Sequence, residues 1–283
     1  MNTFLAWWQH LPEKIDPVIF QIGSFKLQYY GLMYIVAFGL TYLLVCYRIK
    51  RENRFSISVE QVQELITAMI VGLILGARLG YVVFYNLSYY IQNPLEIILP
   101  FSFSNGISFT GISGMSYHGG LIGVAVASLY YTRKHQLDFF HMADLFIPAI
   151  PLGYTFGRLG NFINGELYGR VTTSLFGMYF PYAPGHDLRH PSQLYEAFFE
   201  GIVLFIILWN IRKRIKTKGA MLSFYLIGYG FVRFCIEYVR QPDAHIGFVF
   251  LSFSMGQLLC FAMMTGGLIL FLFLRSTTRG KKT

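Results

Sequence analysis

Charged residues are scarce in this chain of 283 residues: Asp, Glu, Lys and Arg together make up 13% of it, about half the share of a water-soluble domain. Cysteine is rarer still. The three that occur, Cys46, Cys235 and Cys260, fall in apolar stretches at spacings that fit neither a zinc site nor a disulfide framework. They read as small buried hydrophobes. The N-terminal stretch has neither a basic n-region nor a clean apolar h-region, so no cleavable signal peptide is expected. Low-complexity tracts and segments with the composition of a separate soluble domain are also missing. These absences exclude a soluble globular protein and a disulfide-stapled one.

Apolar sequence is abundant instead: hydrophobic residues make up 54% and aromatics 18%. Runs near the ~20 residues needed to cross a hydrocarbon core of ~30 Å recur along the chain. The expected fold is an all-α polytopic membrane protein with seven transmembrane helices, at about 29–47, 62–85, 118–132, 139–161, 192–211, 219–238 and 251–274. Together they form one membrane domain over residues 1–283. The third span is short enough to require a tilt or a loop entry. The net charge of +9 does not imply nucleic acid, because the bases cluster between spans. They sit at Arg48, Lys50, Arg51 and Arg54, at Arg133 and Lys134, from Arg212 to Lys218, and from Arg275 to Lys282, with none between Leu79 and Thr132. The positive-inside rule assigns those connections to the cytoplasm, so the N-terminus is expected outside and the C-terminus inside. Two longer outer connections, 86–117 and 165–191, are expected to fold over the membrane surface as arms. Glycines at four-residue spacing (Gly72, Gly76 and Gly80; Gly119 and Gly123; Gly153 and Gly157) suit close helix packing in lipid.

Ionisable residues inside spans carry the functional signal. Arg78, Arg158 and Arg233 each lie in the later part of a span that runs outwards, which sets them at similar depth in the outer half of the bilayer. Each costs roughly 2.5–3.5 kcal/mol at mid-span, so something must compensate. Arg158 sits in Gly157-Arg-Leu-Gly-Asn-Phe-Ile-Asn-Gly-Glu166. Asn161, three residues on, shares its helix face, and the guanidinium fork with amide donors suits a phosphate. An ordinary interfacial helix end is the bland alternative. Tyr229, Arg233, Glu237 and Arg240 line one helical stripe, either as an ion-pair ladder or as a lipid site. His118 follows Tyr117 at the mouth of the third span. The positive end of a helix dipole favours the neutral imidazole, the form that accepts a proton. Arg78 is as well explained by snorkelling to head groups, and Asp144, near the inner end of the fourth span, reads as structural.

Several segments together resemble the bacterial phosphatidylglycerol–prolipoprotein diacylglyceryl transferases over nearly the whole chain. They are Asp16-Pro-Val-Ile-Phe, Tyr30-Gly-Leu-Met-Tyr, His118-Gly-Gly-Leu-Ile-Gly, the Gly157–Glu166 segment, Arg189-His-Pro-Ser-Gln-Leu-Tyr-Glu and Glu237-Tyr-Val-Arg-Gln-Pro-Asp. The resemblance implies transfer of the diacylglyceryl group of phosphatidylglycerol to the thiol of a prolipoprotein lipobox cysteine. A thioether forms and glycerol 1-phosphate leaves, the first step of lipoprotein maturation, at the bacterial cytoplasmic membrane and towards its outer leaflet. It implies no metal and no cofactor. It ties Tyr30, His118, Arg158, Asn161, Glu166, Gly169, Arg233 and Glu237 to activity or lipid binding. Tyr229 and Arg240 join the lipid-binding set through their stripe. The chain departs from its relatives before the histidine motif, where Phe109–Tyr117 stands in place of a Trp-Asp-Gly-Gly-like segment. An acid near His118 is therefore missing from that place.

Two other classes compete. A transporter of an anionic solute should show inverted repeats with broken helices in both halves. The one weak repeat, around Arg78 and Arg158, lies in spans of the same orientation. A lipid-binding scaffold without chemistry would keep its function in His118→Gln.

Overall fold

The computed structural model describes residues 3–23, 25–99, 101–102, 108–109, 114–241, 248–250 and 253–280. Residues 110–113 before the histidine motif, Pro242 and Asp243 of the last motif, and His245 lie outside them. In chain order the elements begin with α1 (Thr3–Gln9), α2 (Leu11–Lys14) and the hairpin β1 (Val18–Ile22) with β2 (Phe25–Gln28). They continue with α3 (Tyr29–Arg51), α4 (Val59–Tyr85), α5 (Leu87–Gln92), the two-residue strands β3 (Phe101–Ser102) and β4 (Ser108–Phe109), and α6 (Tyr117–Lys134). Then come α7 (Phe139–Phe146), α8 (Ile150–Ile163), α9 (Ser192–Glu196), a π-helical segment (Ala197–Val203), α10 (Leu204–Ile211) and α11 (Ala220–Ile236). The chain closes with β5 (Phe248–Phe250), β6 (Phe253–Ser254) and α12 (Met255–Gly280). The short antiparallel hairpins among the described residues were not expected from the sequence.

Among the described residues, four helices are long and apolar enough to cross a membrane: Tyr29–Arg51, Val59–Tyr85, Ser192–Ile211 and Met255–Thr277. Their outer faces carry large exposed apolar side chains, among them Ile35, Phe84, Ile206 and Phe273, a surface that lipid and not water covers. The chain is therefore a mostly helical polytopic membrane protein. α11 is a shorter apolar helix. Cys235 on α11 is exposed and Cys46 half-buried, so of the three cysteines only Cys260 is buried as expected.

The fourth expected span is broken. Residues 147–149 form a turn between α7 and α8, because Pro148 has no N–H for the Asp144 carbonyl and its ring clashes with that carbonyl. Arg48, fully buried, fills the gap: Nη1 donates to the Asp144 carbonyl at 2.7 Å and to the Leu145 carbonyl at 2.5 Å. The Asp144 carboxylate meanwhile accepts from the N–H groups of Gly219 (2.7 Å) and Met221 (3.0 Å), capping the start of α11. Asp144 has the structural place its position suggests.

The chain divides into two compact units, Met1–Arg48 with Ala143–Thr283, and Ile49–Met142. In the first, Ile147, Leu204, Leu208 and Met221 form one buried cluster. Phe162, Met178 and Phe180 form another, against Trp8, Leu11 and Ile15 from the N-terminal segment. In the second, α4 and α6 pack along their glycines. A Cβ on Gly80 would stand 2.8 Å from Gly119 Cα, and one on Gly72 2.7 Å from Ala127 Cβ. The small residues are there for backbone approach. Gly157, by contrast, faces open space.

Candidate active site

α8 presents Tyr154, Arg158 and Asn161 on one face, at spacings of four and three. Arg158 is ringed by polar groups. Its Nε lies 2.6 Å from the Tyr154 hydroxyl and 2.7 Å from Glu196 Oε2, and its Nη1 donates to Asn161 Oδ1 at 3.3 Å. The other amino group, Nη2, makes no hydrogen bond among the described residues. Asn161 passes the chain on: its Nδ2 donates to Glu166 Oε1 at 2.7 Å, and the Tyr30 hydroxyl lies beside its amide. Tyr30 also meets the Tyr34 hydroxyl at 3.1 Å. Gly160 makes room for Tyr30, whose Cδ2 would be 3.1 Å from an added Cβ.

The turn after α8 is set by Gly165 and Leu167, both at positive φ (67° and 57°). Buried side chains of α9 hold it. Gln193 Nε2 donates to the Glu166 carbonyl at 2.6 Å and Ser192 Oγ to the Leu167 carbonyl at 2.9 Å. Gly169 then bridges to Arg240 and donates its N–H to the His190 carbonyl at 2.8 Å. A Cβ there would lie 2.5 Å from the Val239 carbonyl and 2.7 Å from His190 Cβ, so only glycine fits without displacement. His190 itself lies before the α9 span, and partial burial lowers its imidazole below the ordinary histidine value.

Two acids that the sequence reading passed over join the arginines. Glu196 and Glu200 are fully buried, at the end of α9 and in the π-helical segment. That segment approaches α8 at Gly201, where an added Cβ would collide with Thr155 Oγ1. Arg233 reaches Glu196 Oε2 at 3.1 Å, Glu200 Oε1 at 3.8 Å and Glu237 Oε1 at 2.7 Å. Arg240 reaches Glu196 Oε1 at 3.2 Å and Glu237 Oε1 at 3.8 Å. Tyr154 donates its hydroxyl to Glu200, and Tyr229 packs edge-on against the Tyr154 ring at 5.7 Å. Arg170 holds the end of the stripe by donating to the carbonyls of Arg240 (2.9 Å) and Glu237 (3.2 Å).

Three guanidinium groups and three carboxylates thus interlock where each alone would be costly. Opposite charge and hydrogen bonding offset their desolvation, and removing any one member leaves a buried charge uncompensated. The lattice fixes the forks of Arg158 and Arg233, and a fixed guanidinium with an unengaged N–H is suited to an oxyanion. The structure therefore brings together Tyr30, Arg158, Asn161, Glu166, Gly169, Tyr229, Arg233, Glu237 and Arg240. Glu196, Glu200 and Tyr154 join them. The overlooked signal was two acids four residues apart inside an apolar span.

The remaining expected residue, His118, belongs to the second unit. It lies in the first turn of α6, exposed, after Ser116, whose side chain accepts from the Gly119 N–H at 3.2 Å. The Tyr117 ring stands edge-on to the imidazole at 5.6 Å. Arg78, in the same unit, has its own partners. It donates to the carbonyls of Ile97 (2.9 Å) and Glu96 (2.5 Å) and lies over the Tyr90 ring. It ties the connection after α4 back to that helix.

The family profile described as prolipoprotein diacylglyceryl transferase matches residues 17–273. A phosphatidylglycerol–prolipoprotein diacylglyceryl transferase of Chlorobaculum tepidum is 58% identical, over 95% of this chain and 93% of its own. Proteins of the same name from Wolinella succinogenes (45% identical; 97% of this chain and 98% of the relative) and Bordetella avium (44%; 91% and 94%) are also similar. This chain belongs to the prolipoprotein diacylglyceryl transferase family.

Proposed function

We propose that the chain transfers the diacylglyceryl group of phosphatidylglycerol to the lipobox cysteine thiol of prolipoproteins, the step its relatives are named for. The observation that carries the reading at the level of the site is Arg158: partly buried, clamped on Nε and Nη1, with Nη2 available to a phosphate oxygen. In the proposed reaction His118 takes the proton of the substrate thiol, a contribution typically of ~10²–10⁴-fold. Free thiols, with a pKa of ~8.5, are mostly protonated at neutral pH. The thiolate sulfur attacks the glycerol carbon that bears the phosphodiester. A C–S bond forms, the C–O bond breaks, and its electron pair leaves with glycerol 1-phosphate. Arg158 and Arg233 stabilise the charge gathering on that phosphate where water is scarce. Tyr30, Asn161, Glu166 and Gly169 shape the ligand side of the site, and Glu237, Tyr229 and Arg240 support Arg233. The catalytic cysteine belongs to the substrate.

The same reading makes the protein a single membrane domain of seven crossings in the bacterial cytoplasmic membrane. α6, the α7–α8 pair and α11 add to the four longer helices. The Arg- and Lys-rich connections face the cytoplasm and the site faces the outer leaflet.

The test is direct. The purified protein in phosphatidylglycerol vesicles, given a lipobox peptide, should add the diacylglyceryl mass to the peptide's cysteine. No increment would sink the assignment. His118→Gln should abolish turnover if the imidazole is the base. Arg158→Lys should be impaired, since lysine cannot reproduce a fork; equal rates would argue against that contact.

A further inference from the structure

The second unit contains a groove that the transfer chemistry does not use. Because α4 and α6 approach backbone to backbone at their glycines, a furrow of about 1040 Å³ runs along their seam. Its walls are apolar, with Val71, Leu75 and Leu79 on one side and Ile122 and Val126 on the other. Among the described residues, the charged groups that line it lie at one end: Glu60 and Glu64, in the first two turns of α4. Both are exposed. Tyr131 donates its hydroxyl to Glu64 at 2.7 Å, which orients that carboxylate. Neither acid makes an ion pair among the described residues, although Arg133 and Lys134 end the partner helix. The furrow extends to Gly80 and Gly119, beside His118 in the chain.

We infer that this furrow seats the signal-peptide helix of the prolipoprotein substrate, its basic n-region against Glu60 and Glu64 and its apolar h-region along the α4–α6 seam. The inference rests on the proposed transferase activity and on the cytoplasmic start of α4. Signal peptides have a cationic n-region followed by an apolar stretch of about 7–15 residues, which is the mirror image of an apolar furrow with acids at its cytoplasmic end. The lengths agree. From Glu64 to Gly80, at the level of Gly119, α4 runs ~24 Å, and a helical h-region of ~15 residues spans ~22 Å. A peptide anchored at Glu64 would therefore bring the residues after its h-region, where the lipobox cysteine lies, to the level of His118. An anionic lipid head group would be repelled by the same two carboxylates.

The test uses the full chain in phosphatidylglycerol nanodiscs. The probe is a synthetic prolipoprotein peptide with two n-region lysines and a photo-cross-linking residue in its h-region. Mass spectrometry should find the adducts on α4 and α6 at Val71, Leu75, Ile122 or Val126. A double variant, E60K with E64K, should lose most of that labelling, and a peptide with glutamates in its n-region should restore it. In turnover, E60Q with E64Q should raise KM for the lysine peptide about threefold to tenfold, as two exposed ion pairs would. It should leave KM unchanged for a peptide with a neutral n-region. Adducts elsewhere, adducts only to lipid or to a second copy of the chain, or equal KM values for both peptides would overturn the inference. Cross-linking needs no turnover. An inactive wild type would refute the transferase reading, while labelling of the seam would still support the furrow and its absence would still overturn it.

Discussion

Glu196→Gln tests the buried charge lattice most sharply. Glu196 is fully buried and meets Arg158 at 2.7 Å, Arg233 at 3.1 Å and Arg240 at 3.2 Å. Glutamine keeps the shape and removes the charge. Arg233 would retain Glu237 at 2.7 Å and Arg240 would retain it at 3.8 Å, whereas Arg158 would be left with no ion pair among the described residues. Breaking a buried pair costs about 3–5 kcal/mol. The arginines keep 14% side-chain exposure, which favours the lower end, about 3 kcal/mol. Denaturant unfolding in mixed micelles, wild type against variant, measures this. Glu13→Gln is the internal reference, since its pair with His10 is 36% and 31% exposed and such pairs contribute about 0–1 kcal/mol. Activity should fall as well, measured at a temperature where the variant is fully folded, because the Arg158 fork loses its anchor. A Glu196→Gln protein no less stable than Glu13→Gln would refute the reasoning.

Further outcomes follow from the packing and from one histidine. Gly169→Ala should lose activity through displacement of the 165–170 turn, seen as lost transfer with the fold retained by circular dichroism. Gly123→Ala should destabilise the protein by about 1–3 kcal/mol as α4 and α6 are forced apart. Gly39→Ala, which faces open space, should be neutral or slightly stabilising; matched thermal melts distinguish the two. Burial lowers the His190 imidazole, so the fold holds its neutral form while the unfolded chain takes the proton more readily. That contribution is present above the ordinary histidine value of ~6.5 and is lost as pH falls through the lowered folded value. His190→Gln should flatten the stability profile in that window, and an unchanged profile would reject the assignment.

Much of this architecture can be read from residue order because lipid is a demanding solvent. Apolar runs of crossing length reappear as α3, α4, α9 to α10 and α12, and the four-residue glycine spacing reappears as the α4–α6 seam. The Arg158–Asn161 face and the Tyr229–Arg233 pair follow from helical period, whereas Glu237 and Arg240 lie at and beyond the end of α11 and reach the same charge cluster through the turn that follows it. The fourth span shows the limit of hydropathy. Its average is apolar throughout, but Pro148 removes one donor and thereby splits the helix into α7 and α8. Arg48 is then drawn from a distant helix to satisfy the stranded carbonyls. The first event is local and visible in the sequence. The second is a long-range consequence that no periodicity encodes.

The acids of the site fail to announce themselves for a related reason. Arginines in apolar segments demand compensation, and the acids nearest in sequence, Glu166 and Glu237, look sufficient. Yet Arg158 is neutralised by Glu196, on another helix, and Arg233 shares that same carboxylate. Between Ser192 and Ile211 the only ionisable residues besides Tyr195 are Glu196 and Glu200, four apart and so on one face. Charge inside a membrane protein must therefore be balanced over the set of spans before it is balanced within any one of them. Applied to the sequence alone, that condition selects this segment as the counter-charge to Arg158 and Arg233. It does not select the π-helical geometry that aims Glu200, because that depends on Gly201 meeting Thr155 of α8, a contact between residues 46 positions apart.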